Sequence, residues 1–190
     1  RPFLFALAFD RGLIHPLPML KDSPRSFGAF DPENFDREFV GPIKASDALA
    51  RSRNIPAVTL ASELRGPTLY GLLQRAGVHL PRDEKFYGLA LPLGGAEVTM
   101  EDLVRLYAML ANGGELRPLQ RSFPVGNAGV GVQRSPSPRL PQGGGDNERQ
   151  LIRREAAFLT LEMLGQSSRP GLRGTSADAA IFWKTGTSQG

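Results

Sequence analysis

Cysteine is absent from all 190 residues. That excludes a disulfide framework and a thiolate metal site. It fits an extracytoplasmic enzyme without demanding one. Histidine is scarce: His15 and His79 are far apart and lack ligand-like neighbours, so no metal site and no cofactor are expected. Lysine occurs only at Lys21, Lys44, Lys85 and Lys184. The rest of the basic charge is arginine, scattered so that the net +4 forms no dense basic helix or aromatic-basic ladder. Nucleic acid is therefore not an expected partner. No apolar run is long enough to span a bilayer, residues 4–9 being far too short. No signal-peptide pattern occurs within the chain. Gly143-Gly144-Gly145 has no following lysine with serine or threonine, which removes nucleotide binding.

What is present suits one domain with a substantial core, since 41% of residues are hydrophobic and 22% charged. The most informative string is Lys184-Thr185-Gly186-Thr187-Ser188, which follows the apolar run Ala179-Ala180-Ile181-Phe182-Trp183. The run reads as a buried strand at 178–183. A cation, hydroxyls and a bare glycine at its end suit an extended, carboxylate-bearing peptide laid along a strand edge. A given tripeptide arises by chance in roughly one chain of this length in forty, so the string alone is a hypothesis. A second signal supports it. Ser52-Arg53-Asn54 closes an amphipathic stretch that reads as a helix over 46–54, ended by Pro56. S-x-N upstream of K-T-G is the pair found in penicillin-binding proteins and class A β-lactamases.

Helical readings continue on both sides. Residues 2–11 form a helix with Pro2 at its start and Gly12 beyond its end, and Phe3, Leu4, Leu7 and Ala8 share a face. Residues 13–42 read as irregular with one or two short strands. Further helices are expected over 56–64 and 68–76, and an apolar, glycine-ended loop at 89–95. Thr99 reads as an N-cap, with Glu101 and Asp102 in the first turn and Gly113-Gly114 closing the helix. Residues 121–148 are crowded with Gly, Pro, Ser and Arg and read as a flexible insertion. A last amphipathic helix is expected over 149–164, with Ile152, Ala156, Leu159 and Met163 inward.

Further strings join the two triplets: Pro2-Phe3-Leu4-Phe5-Ala6-Leu7-Ala8, Gly12-Leu13-Ile14-His15-Pro16, Asp22-Ser23-Pro24-Arg25-Ser26-Phe27-Gly28, Pro32-Glu33-Asn34-Phe35-Asp36 and Leu93-Gly94-Gly95. Together they make the chain resemble the transpeptidase domain of bifunctional, class A penicillin-binding proteins, from end to end except over about residues 120–150. The resemblance implies an α+β fold, mainly an antiparallel sheet with helices on both faces. Residues 1–190 are then a partial transpeptidase domain, mostly helical, with missing parts before and after. The implied reaction is acyl transfer through a serine ester on a peptidoglycan stem peptide ending in D-Ala-D-Ala, a substrate that β-lactams mimic.

The roles implied are residue by residue. Ser52, Asn54 and Lys184 serve catalysis: Ser52 in the proton shuttle, Asn54 on the substrate amide, Lys184 as positive potential. Thr185, Gly186, Thr187 and Ser188 bind substrate, the threonines at the terminal carboxylate and the Ser188 N–H in the oxyanion hole. The nucleophile belongs to an S-x-x-K motif, and no lysine here has serine three positions earlier. Pro18, Gly41, Arg82 and Ile181 stand there instead. The motif's lysine position falls on Arg1, which puts the serine three residues upstream of it. If Arg1 is native, proton transfer is in question, because a guanidinium keeps its proton. If Arg1 is an artefact of gene prediction, nothing follows. The family also implies a cell-envelope location on the periplasmic face, an upstream membrane anchor and an upstream glycosyltransferase domain. A D,D-carboxypeptidase, a β-lactamase-type hydrolase and a non-catalytic penicillin-binding paralogue are the alternatives.

Overall fold

The computed structural model describes residues 1–15, 19–119, 149–166 and 184–186. The expected insertion at 121–148, the strand at 178–183, Thr187 and Ser188 lie outside the described residues. The described part is mainly helical, with one small antiparallel sheet.

Helix α1 (Pro2–Asp10) is the centre of the core. Proline at its first position costs no hydrogen bond, because that N–H has no partner inside a helix. Every residue from Pro2 to Phe9 is buried. The face shared by Phe3, Leu4, Leu7 and Ala8 is thus part of a helix buried all round, with Phe5, Ala6 and Phe9 also inward. A helix apolar on all sides is one surrounded on all sides. Around it stand α3 (Asn54–Glu63), α4 (Leu69–Arg75) and α7 (Arg154–Gly165). From α6 (Met100–Ala111), the Tyr107 ring meets Phe3 edge-on at 5.2 Å. Helix α2 (Ala45–Ala50) packs on α7.

Strands β1 (Met19–Asp22) and β2 (Gly41–Lys44) pair antiparallel, with Leu20 opposite Ile43 and Asp22 opposite Gly41. They bracket the irregular segment foreseen over 13–42 and bring its two ends together. Thr99 caps its helix as the sequence reading has it, and Thr68 does the same at α4. Thr99 Oγ1 accepts from the Asp102 N–H at 3.0 Å, and Thr68 Oγ1 from the Gly71 N–H at 3.2 Å. Residues 89–95 differ from the expected loop. The short helix α5 (Glu84–Tyr87), capped by Asp83, runs into a 3-10 turn over Gly88–Leu93.

Helix α7 begins five residues later than the sequence suggested. Residues 149–151 are committed elsewhere: Leu116 N–H donates to Arg149 O at 2.8 Å, and Leu151 N–H to Gly114 O at 3.0 Å. Ile152 is buried as expected, but ahead of the helix. Leu159 is only partly buried, while Ala156 and Met163 are inward. Gly114 is required at this crossing, since a Cβ there lies 1.8 Å from the Ile152 carbonyl oxygen.

Phe5 lies in the middle of α1 and is 1% exposed. Phe5→Ala is expected to lower unfolding free energy by about 3–5 kcal/mol, measured by urea denaturation.

Candidate active site

Four helices end in the same turn. In each, the residue after the cap is left-handed and two backbone N–H groups return to carbonyls near the helix end. Three of the turns use glycine: Gly12 after α1, Gly77 after α4 and Gly113 after α6. The fourth, after α2, uses Ser52 at φ 56°. Ser52 N–H donates to Leu49 O at 3.1 Å, and Arg53 N–H to Ala48 O at 2.9 Å. A non-glycine residue in this conformation costs about 1–2 kcal/mol. Such strain is characteristic of functional positions.

This corrects the expected helix over 46–54. Helix α2 stops at Ala50, and Asn54 is the first residue of α3. Pro56 does not end a helix. It lies in the first turn of α3, where its missing N–H has no intrahelical partner to lose.

Around the turn lies a buried polar network. Asp22, at the end of β1, is fully buried. Its Oδ2 accepts from Arg53 Nε at 2.7 Å, and its Oδ1 from Asn34 Nδ2 at 2.7 Å. Arg53 Nη1 donates to Asp36 Oδ2 at 2.6 Å, and Nη2 to the Glu38 carbonyl. Asn34 Oδ1 accepts from the Asn54 backbone N–H at 2.7 Å. The Arg53 guanidinium, hydrogen-bonded to Asp36, holds that carboxyl below its ordinary range.

Lys184 reaches the same turn from 132 positions away, its Nζ donating to Ser52 Oγ. The same ammonium donates to Thr185 O at 2.9 Å and to Thr185 Oγ1 at 3.1 Å. Ser52 Oγ and Thr185 Oγ1 are 3.5 Å apart. Gly186 is exposed, with open space where a side chain would project. From the start of α1, Arg1 Nη2 donates to Asn54 Oδ1. Asn54 Nδ2 donates to Glu33 O at 2.5 Å, so both ends of its amide are engaged.

The structure thus gathers Arg1, Ser52, Asn54, Lys184 and Thr185, with Gly186 alongside. Thr187 and Ser188 lie outside the described residues. The site is cationic. Burial, then the Arg1 charge, lowers Lys184 from the ordinary 10.5 to about 8. Burial also lowers Arg1. Among the described residues no cluster of His, Cys, Asp or Glu could hold a metal ion. A half-buried cation beside polar hydroxyls suits an anionic ligand and proton movement near neutrality.

Sequence reasoning gave no role to Asp22, Asn34, Arg53 or Asp36. The strings Asp22-Ser23-Pro24 and Asn34-Phe35-Asp36 were visible, but nothing local says that their side chains meet behind Ser52 and Asn54.

No family model matches the chain. It is 35% identical to penicillin-binding protein 1C of Escherichia coli over 195 residues, covering 100% of this chain and 22% of that protein. It is 29% identical to penicillin-binding protein 1B of Vibrio cholerae over 177 residues, covering 88% of this chain and 22% of that protein. The crystal structure of penicillin-binding protein 1A from Haemophilus influenzae matches at TM-score 0.63 and 26% identity, over 90% of this chain and 29% of that one. Penicillin-binding protein PonA1 from Mycobacterium tuberculosis matches at TM-score 0.61 and 19% identity, over 86% of this chain and 44% of that one, a likeness of fold alone. The chain spans about a fifth of these two curated relatives, 22% of each.

Two measurements probe the site without invoking a reaction. Ser52→Gly is expected to stabilise the fold by up to about 1 kcal/mol in urea unfolding, the relieved strain less the entropy that glycine adds to the unfolded chain. Lys184 is expected to titrate near 8 by carbon-13 NMR of its side chain, and Arg1→Met to move the midpoint up toward 10.5. Because the unfolded chain holds that proton between about 8 and 10.5 and the folded chain does not, stability rises with pH across this window.

Proposed function

Starting from the fact that the chain belongs to the class A penicillin-binding proteins, we propose that it is a segment of a peptidoglycan D,D-transpeptidase domain. The observation that carries this reading is the contact between Lys184 and Ser52, beside Thr185, across 132 positions of sequence. Residues 1–190 then act with a nucleophilic serine three positions ahead of Arg1.

In this reading the serine oxygen attacks the carbonyl of the penultimate D-Ala of a stem peptide. The carbon–nitrogen bond to the terminal D-Ala breaks, and the proton lost by the attacking serine is relayed through the Ser52 hydroxyl to the departing nitrogen. The acyl ester is then taken by an amine of a neighbouring stem, which crosslinks the two strands. Thr185, with Thr187, holds the terminal carboxylate, to which Lys184 adds positive potential. Asn54 binds the substrate amide. Gly186 leaves room for backbone against backbone. The Ser188 N–H is one of two oxyanion donors. β-Lactams enter as mimics of the same substrate and acylate the same serine. Nucleic acid and metal cofactors have no part in it.

The cell envelope is the implied location, on the periplasmic face. Among the described residues no helix is long and apolar enough to cross a membrane. The anchor and a glycosyltransferase domain are assigned to other parts of the protein.

A second reading is favoured by one residue. Arg1 occupies the position where the resemblance puts a lysine that gives up its proton, and a guanidinium does not do this. A penicillin-binding paralogue that does not turn over fits that feature.

Fluorescent-penicillin labelling of the full-length protein separates the two. The enzyme reading expects labelling at the upstream serine, slowed by about 10²-fold or more in Ser52→Ala and Lys184→Ala. Absence of label in the wild type, with label gained in Arg1→Lys, establishes the paralogue instead.

A further inference from the structure

A left-handed serine persists only where its surroundings over-determine it. Three of the four equivalent helix ends need no such help, because glycine occupies them. At Ser52 the residues on its carboxyl side are held fast. Arg53 is 4% exposed, and its guanidinium is committed to Asp22, Asp36 and the Glu38 carbonyl. Asn54 is held through its backbone N–H by Asn34 Oδ1 at 2.7 Å, and Asn34 is held in turn by the second oxygen of Asp22. One carboxylate therefore grips residue 53 directly and residue 54 through a single intermediary. A third bond, from the Val40 N–H at 3.3 Å, fixes that carboxylate to the start of β2.

We propose that Asp22 and Arg53 are positioning residues for the acyl-transfer site. They hold the backbone of residues 52–54 so that the Ser52 hydroxyl meets Lys184 and the Asn54 amide meets Arg1. The middle residue of the S-x-N triplet is thus the one that turns away from substrate, so that its neighbours can point toward it. Neither residue touches substrate. This assignment rests on the transpeptidase reading for its functional consequence, but its geometric content does not.

The test uses the full-length protein and Arg53→Lys, which keeps the charge and loses the planar fork. Acylation by a fluorescent penicillin is resolved into the rate constant at saturation and the probe's dissociation constant, with thermal unfolding alongside. The expected result is a folded protein whose saturating rate constant falls by roughly tenfold or more, a larger change than in the dissociation constant. Misplacement by about 1 Å can cost ~10²-fold. A saturating rate within twofold of wild type, or a loss that only tracks the unfolded fraction, overturns the assignment. Should Arg53→Lys fail to fold, Asp36→Asn decides by the same criterion, with a smaller expected loss of about threefold. It leaves the buried Asp22 pair intact and alters a carboxylate whose side chain is 43% exposed.

The titration of Lys184 supplies a second readout that needs no acylation. Once residues 52–54 are released, its midpoint is expected to climb from about 8 toward 10.5. An unlabelled wild type refutes the transpeptidase reading, and the positioning assignment is then decided by whether that midpoint moves in Arg53→Lys.

Discussion

A single buried carboxylate organises the end of this molecule that carries Ser52 and Lys184. Asp22 is fully sequestered, and both oxygens are spent on partners from distant stretches of chain. Taking an aspartate and an arginine out of water costs several kcal/mol per ion, and their mutual attraction roughly offsets that cost. The pair is consequently a poor candidate for a source of net stability. Its effect is on conformation. It ties the end of β1 to the junction of α2 and α3 and admits one arrangement of that junction. With apolar side chains in place of the network, the junction could relax toward an ordinary turn.

The parts of the fold legible in the sequence were those governed by nearest neighbours. Thr99 caps its helix as its position implied, because the accepting hydroxyl and the donated N–H are three residues apart. Gly113 and Gly12 end helices because only a residue without a side chain turns there at no steric cost. Helix α1 was located correctly, but its burial on every side depends on how many neighbours surround it, and no residue of α1 records that number. Pro56 misled for a related reason. Proline forbids a helix interior but accepts the first turn, and the two cases differ only in where the helix begins. The junction at Ser52 could not be read locally, since serine is not a residue expected to be left-handed. The meeting of Lys184 with Ser52 followed from the paired triplets together with the family resemblance. The network behind them did not, because its members come from three separated strings.

Charge gives the site its character. Arg1 and Lys184 are drawn close in partly buried surroundings, and the causes acting on Lys184 are burial and the neighbouring guanidinium, with no carboxylate among them. Such an arrangement is unfavourable while empty and becomes favourable when an anion enters. The energy that an acidic neighbour would have released on folding is thereby reserved for a ligand. The acids that do lie nearby, Asp22 and Asp36, are directed toward Arg53 on the far side of the turn.

The crossing at Gly114 reaches beyond packing. Glu115 bridges to Gln150, and Gln150 Nε2 donates to the Gly113 carbonyl at 2.7 Å, so the chain on either side of residues 120–148 is stitched together at its base. Residues 114–116 and 149–152 therefore lie side by side. Lengthening a segment closed in this way costs only about 0.6 kcal/mol per doubling. Added length between residues 116 and 149 is therefore thermodynamically cheap, and it can come and go while α6 and α7 remain in register.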